Sequence, residues 1–328
     1  MKNRYLFSLM ILLSATFVMT ACDDEDGLSV TPKNELQNDV IKRTQGPNMV
    51  GLTIEFAYAM AIPKSLGKLV SAQVEASIAG AEGTYLDNKS YATNGSGQDV
   101  GIEVGSAAVN NGSKTMVTFT KDTIAATLRY FYSIPNAARG QEVTFRFSAT
   151  ASNGQTVNYS MGPYKIAQME MVLDLDVRDS TAAYISIADM AVYSPADAAA
   201  KADKIDLVYL YRSIPNVTFN HALVAPSNKQ YLPGVKLPTG VNRSAKINKV
   251  WALRDQQLAR LQYGVFIEDL DFQQLSIANA PDFAINMRAE AGAWVETADG
   301  KYRAYIYVNS VNNTTKSAKI SMKRYTLK

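Results

Sequence analysis

The chain has 328 residues, 47% of them apolar and 19% charged, with 33 basic and 30 acidic side chains for a formal charge of +3. That composition suits a folded protein, and its near-neutral balance gives no electrostatic case for nucleic acid, which needs a clustered basic face. One cysteine and one histidine exclude intrachain disulfides and a metal site built on clustered His and Cys ligands, so neither metal nor cofactor is expected.

Residues 1–21 have the layout of a secretory leader. Lys2 and Arg4 precede an apolar run over residues 6–19, and the small residues Thr20 and Ala21 precede Cys22. The run is short of the roughly 20 apolar residues a membrane span needs. Met19-Thr-Ala-Cys22 resembles the bacterial lipobox, which implies cleavage before Cys22 and acylation of its thiol by palmitate-like chains. Each buried acyl CH₂ is worth ~0.8 kcal/mol, so two or three chains anchor where one does not. The alternative is an ordinary leader with an incidental cysteine. Asp23, Asp24, Glu25 and Asp26 follow; like charges in a row stay hydrated, as in a solvated linker. The run also resembles the export signal that sends Bacteroidales lipoproteins to the outer face of the outer membrane. The expected location is therefore the outer membrane, lipid-anchored and facing the exterior. Loss of Lys2 and Arg4 leaves 31 basic against 30 acidic side chains.

Residues 22–45 read as a lipidated acidic tether. A short helix over residues 34–42 would set Leu36, Val40 and Ile41 on one side. Residues 46–167 alternate with period two. Leu52, Ile54, Phe56, Tyr58 and Met60 share one face, as do Val143, Phe145, Phe147 and Ala149, and Val117 goes with Phe119. Half-buried antiparallel strands require this alternation. Asn111-Gly112 and Asn153-Gly154 supply hairpin turns between the runs. The segment after residue 153 resembles the last hairpin of bacterial immunoglobulin-like domains. Residues 85–101 form a polar loop with three glycines, a place where β-sandwiches carry function as well as mere connection.

Residues 168–328 form a second β unit with one or two helical inserts. Leu173, Leu175 and Val177 alternate with charges, and Ala318, Ile320 and Met322 face inward near the end. Ser194 before Pro195 and an alanine run predict a short helix. The spacing of Val250, Leu258 and Leu261 predicts another over residues 244–262, with Trp251 in its stripe. Residues 294–308 form a hairpin around Asp299-Gly300. Ser-Ile-Pro-Asn occurs at residues 133–136 and 213–216; it marks equivalent strand ends in related sandwiches or arises by chance. The expected fold class is mainly β: two antiparallel immunoglobulin-like β-sandwiches.

Several segments together resemble a family of uncharacterised Bacteroidales surface lipoproteins. They are Asn38-Asp-Val-Ile-Lys-Arg43, Gly46-Pro-Asn48, Ile54-Glu-Phe-Ala-Tyr-Ala59, Val74-Glu-Ala-Ser-Ile-Ala-Gly80, Tyr184-Ile-Ser-Ile-Ala-Asp-Met190 and Trp251-Ala-Leu-Arg-Asp-Gln-Gln-Leu-Ala-Arg260. The resemblance spans the chain and implies surface display beside glycan-utilisation or adhesion systems. It assigns no site.

Catalytic chemistry finds little support. His221 lacks a recognisable nucleophile motif beside it, and no Gly-x-Ser-x-Gly elbow is present. Glu268, Asp269 and Asp271 form an acidic cluster that a carboxylate-dependent glycan-active enzyme would need, with Asp269 and Asp271 on one face of a strand. The competing expectation is a solvated edge. Asp87, Asn88, Asn94 and Asp99 have oxygen ligands for calcium at a spacing that fits no EF-hand. Flat aromatic rings bury well against the apolar face of a sugar while keeping a polar edge. Tyr85 and Tyr91 in the polar loop, Trp251 and Trp294 are the candidate ligand-binding residues. The leading expectation is a non-catalytic surface binding module for a glycan or a partner protein. The alternatives are the glycan-active enzyme and a structural component of a surface assembly.

Overall fold

Strict alternation becomes sheet faces in a computed structural model that describes residues 33–328. The expected leader, Cys22 and the acidic run lie outside the described residues. Residues 37–165 build the first sandwich from antiparallel strands. One sheet runs β1 (Gln37–Lys42), β2 (Thr53–Ala61), β9 (Ala125–Ser133), β4 (Tyr85–Leu86). The other runs β11 (Thr156–Lys165), β10 (Glu142–Ala151), β3 (Leu69–Ala76), β8 (Lys114–Thr118), β7 (Val109–Asn111). The chain crosses between sheets from β2 to β3 and again from β9 to β10. That is the A-B-E against G-F-C arrangement of an immunoglobulin-like sandwich. Ile54, Phe56, Tyr58 and Met60 of β2 meet Val143, Phe145, Phe147 and Ala149 of β10, all buried. Phe56 lies 4.8 Å from Phe145 and 5.3 Å from Phe147, centroid to centroid, offset contacts worth ~0.5–1.5 kcal/mol each beyond burial.

Residues 37–42 are a strand and not part of a helix. β1 pairs with the edge of β2 from Gln37 opposite Ala61 to Lys42 opposite Phe56. Leu36 and Val40 face the core while Ile41 points outward. The unpaired backbone edge of β2 decides the outcome, because apolar spacing alone fits either structure.

The second sandwich also has two antiparallel sheets. One runs β12 (Glu170–Arg178), β21 (Ser317–Thr326), β20 (Tyr302–Asn312), β19 (Ala291–Glu296), β17 (Lys246–Trp251). The other runs β14 (Ala191–Tyr193), β13 (Tyr184–Ser186), β15 (Leu207–Ile214), β16 (Val217–Val224), β18 (Phe283–Met287). The mainly β class and the two-sandwich layout are as expected. Ser194 caps α1 (Pro195–Ala200), its hydroxyl accepting from the Asp197 N–H at 3.2 Å. The hairpin around Asp299-Gly300 joins β19 to β20, with Gly300 at φ 62°.

Three local expectations change. Leu173, Leu175 and Val177 do not share a face. Asp174 takes φ 58° inside a register shift, sending Leu173 to the outer cluster while Leu175 and Val177 stay inside. Residues 244–262 are not one helix: they give β17 and a single turn, α2 (Gln256–Ala259). β17 pairs with β19 along its whole length, and tertiary pairing overrides the helical spacing. Asp269 and Asp271 lie on α3 (Asp269–Gln274), not a strand. The two Ser-Ile-Pro-Asn phrases are not equivalent: the first leads across to the opposite sheet, the second turns back into the hairpin β15–β16.

Residues 252–282 leave β17 and return at β18, covering the outer face of one sheet. Phe272 packs there with Trp294, Tyr305 and Tyr325, and the same cluster takes in Met49, Ala167 and Met169. The Asp269 carboxylate accepts from the N–H groups of Gln168 and Met169 at 2.8 and 3.0 Å. The excursion thus also clamps the junction between the sandwiches.

Candidate functional site

The outer face of the first sandwich gathers what the polar loop promised. Register places Glu55, Phe131 and Tyr85 in one row across β2, β9 and β4, with Ala57 and Arg129 in the next row. Tyr85 stacks on Phe131 at 4.8 Å and remains 42% exposed. Beyond it a hairpin, β5 (Lys89–Thr93) and β6 (Asp99–Glu103), lies over β9 as a separate two-stranded strap.

Polar bonds hold the strap. The Tyr91 hydroxyl donates to Asp87 at 2.6 Å, and Ser90 accepts from the Thr127 N–H at 3.1 Å. The Arg129 guanidinium donates to Asp99 at 2.7 Å and lies 5.4 Å from the Tyr91 ring centroid. Arg43 bridges Glu55 at 3.0 Å and Asp99 at 3.2 Å. The hydrogen bond to Asp87 pushes the Tyr91 phenol up to about 12, with burial adding to it. Partial burial, then the charges of Asp87 and Glu55, raise Tyr85. The bond from Arg129 holds Asp99 below the usual carboxylate range. Both phenols therefore keep their protons as donors at neutral pH.

Beside the strap runs a furrow of about 380 Å³, floored by Ala59, Ala61 and Ala125 and edged by Asp39, Ser90 and Thr127. An aromatic ring, fixed charges of both signs and a small-residue furrow share one sheet face. This suits a ligand with alternating apolar and hydroxylated surfaces, such as a sugar chain.

The four aromatic candidates separate. Tyr85 and Tyr91 come together here. Trp251 ends β17 in the second sandwich, outside any helical stripe and 53% exposed. Trp294 is 6% exposed, its ring 5.2 Å from Phe272 and 4.9 Å from Tyr305; it fills the core and drops out as a surface residue. Glu55 and Arg129 are site residues that sequence reasoning missed. Their one signal is charge inside otherwise apolar strands.

The remaining polar candidates have structural occupations. Asp269 caps the junction, and Asp271 accepts from the Glu268 N–H at 2.7 Å to start α3. Of the calcium candidates, Asp87 and Asp99 serve the strap, Asn88 donates to the Gly105 carbonyl, and Asn94 accepts from two N–H groups of the strap's turn. Among the described residues no three His, Cys, Asp or Glu side chains are grouped to hold a metal. His221 is buried between the Tyr209 hydroxyl at 2.6 Å and Asn313 at 2.8 Å, and that burial lowers its pKa.

Two family models, both described as domains of unknown function, match the chain: DUF4466 over residues 33–166 and DUF8576 over residues 167–327. The crystal structure of a DUF4466 family protein from Parabacteroides merdae is 48% identical, covering 90% of this chain and 100% of its own, with a TM-score of 0.83. The major pilin subunit of Bacillus cereus is 9% identical, with a TM-score of 0.28 over 87% of this chain and 62% of its own. The major pilin GBS80 of Streptococcus agalactiae, a C-terminal fragment, is also 9% identical, with a TM-score of 0.28 over 83% of this chain and 84% of its own. No curated protein matches.

Proposed function

We propose a function on the premise that the chain belongs to the DUF4466 family: it is a non-catalytic glycan-binding module, displayed on the outer membrane by an acylated Cys22. The observation that carries the binding assignment is the convergence of Tyr85, Tyr91, Glu55, Arg129 and Asp99 on one sheet face, with Arg129 covered by the strap and Tyr85 open, beside an apolar furrow. A sugar ring stacks on the exposed side of Tyr85, and its hydroxyls take partners from Glu55, Arg43 and the strap. The acidic cluster of residues 268–271, which a hydrolase would need free, is bound into backbone capping. Asp269 holds the junction and Asp271 its own helix, while Glu268 and Asp269 also line a cavity of about 420 Å³ with Asn48 and Lys165.

Affinity electrophoresis of the full chain in detergent, through gels containing xylan, galactan or mucin glycans, tests the binding. Retardation in one gel, weakened roughly tenfold by Tyr85→Ala, is the expected result; a stacking contact is worth about 1 kcal/mol or slightly more. Equal mobility in every gel would end the glycan assignment. For the anchor, Cys22→Ser abolishes incorporation of labelled palmitate and moves the protein out of the membrane pellet. Retained label would refute acylation at that residue.

A further inference from the structure

We propose that Trp251 is a second sugar-stacking platform, receiving the apolar face of a pyranoside unit. The ligand class rests on the glycan assignment of the first site; the platform itself rests on independent geometry. Alternate side chains of β17 run outward from the core: Ile247 is buried, Lys249 half-buried, and Trp251 lies at the rim, opposite Ala291 of β19. The Lys249 ammonium donates to the carbonyls of Ile285 and Asn286 at 2.6 and 3.0 Å, tying edge strand β17 to edge strand β18. The same ammonium sits 4.4 Å from the Trp251 ring centroid. A fixed cation occupies one side of the indole while more than half of the residue's surface stays in solvent.

That arrangement is pre-organised. A ring already held by a cation loses little freedom when a ligand lands on it, which removes one of the ordinary costs of binding. The rim is polar in the way a sugar requires. Arg288 donates to the Asn286 side chain at 3.3 Å, and Glu290, next to Ala291, pairs with Arg254. Arg254 lies 5.5 Å from the ring centroid of Tyr263, itself 58% exposed. Guanidinium, amide and carboxylate groups thus lie on the segments next to Trp251, with a second aromatic ring, Tyr263, beside the Arg254–Glu290 pair. Core packing does not account for Trp251: Lys249 already has two carbonyl partners, and Trp294 shows how this fold buries an indole when packing is the purpose.

The chain contains two tryptophans, so the exposed-indole part of its fluorescence belongs to Trp251. The full chain in detergent is titrated with the same xylan, galactan and mucin glycans. A polysaccharide that retards the chain is expected to shift emission to the blue and to shield it from acrylamide quenching, in the parent and in Tyr85→Ala alike. Trp251→Ala abolishes both signals and weakens retention roughly tenfold, the loss of one stacking contact. Unchanged near-ultraviolet circular dichroism of Trp251→Ala confirms that the fold is intact. Retardation with no change in emission or quenching overturns the platform and leaves the first site standing. A blue shift together with undiminished retention in Tyr85→Ala overturns the first site and leaves the platform. Neither retardation nor shift with any probe overturns both.

Discussion

Each sandwich wears an insertion on the outer face of a sheet, and the two are fastened by opposite means. The strap of the first sandwich rests on β9 through a hydroxyl–amide bond and an ion pair, and is tied to Asp87 at its base by a phenol–carboxylate bond, all of them part-buried. The excursion of the second buries Phe272 against three aromatic rings and runs its chain over an ion pair fully out of solvent. Apolar burial at ~25 cal/mol per Å² makes the excursion part of the core. Part-buried polar bonds give a net of only ~0.5–3 kcal/mol each, so the strap is a separate, weaker unit. The weaker unit carries Tyr91 and Asp99 of the candidate site, as binding elements drawn from the low-stability end of a fold tend to do.

The heaviest blow to this contrast is Asp255→Ala. Lys323 has no exposed surface, and its ammonium donates to Asp255 at 2.6 Å and to the Ile267 carbonyl at 2.9 Å. Asp255 also accepts from the N–H groups of Gln257, Leu258 and Ile267 at 3.1, 2.9 and 2.7 Å. Removing the carboxylate strands a buried ammonium and is expected to cost about 3–5 kcal/mol. Urea denaturation measures it; a loss under ~1 kcal/mol would mean that the excursion is not part of the core. Adding Lys323→Met should recover much of the loss, since an apolar replacement removes the unpaired charge.

The pair shows why half of this architecture could be foreseen and half could not. The inward faces of β2 and β10 were legible because their alternation is unbroken. The α1 helix was legible because Ser194, Pro195 and the alanines all favour it. Residues 34–42 and 244–262 misled because their apolar spacing suits a strand as well as a helix, and the deciding partners, β2 and β19, lie elsewhere in the chain. Asp255 and Lys323 are separated by 68 residues, and nothing in either neighbourhood announces the other. Tyr85 and Tyr91 could be singled out as aromatics in a polar loop. Glu55 and Arg129 could not, because pairing register alone brings them alongside.

A smaller effect separates the sandwiches by pH. The only histidine, His221, is held between Tyr209 and Asn313 in the second sandwich. Burial sets its folded pKa below the ordinary 6.5. As pH falls through 6.5 the unfolded chain takes up the proton first, so this group's contribution is complete above that value and declines below it. Urea midpoints at pH 7.5 and pH 5 should show the second sandwich weakening while His221→Gln flattens the drop. An identical drop in the variant would assign it to other groups.

The smallest effect tests the strap itself. Tyr91→Phe removes the bond to Asp87 but keeps the ring beside Arg129. Because Tyr91 is partly exposed, the local cost should be about 1 kcal/mol or less, and the global urea midpoint should hardly move. Hydrogen exchange is the sensitive measurement: amides over residues 89–103 should exchange faster in the variant than in the parent, with those of β2 and β10 unchanged. Salt sharpens the distinction. The Debye length falls to ~3 Å at 1 M, which weakens the Arg43–Asp99 and Arg43–Glu55 attractions at the surface and leaves the buried Lys323–Asp255 pair nearly untouched. Raising ionic strength should therefore speed exchange in the strap and not in the excursion. Equal protection of both insertions at all salt concentrations would erase the contrast and make the strap as much a part of the fold as the excursion. A bound polysaccharide, if it lies across Tyr85 and the furrow, should slow exchange in the strap first, because ordering the weakest element is where ligand binding has most to change.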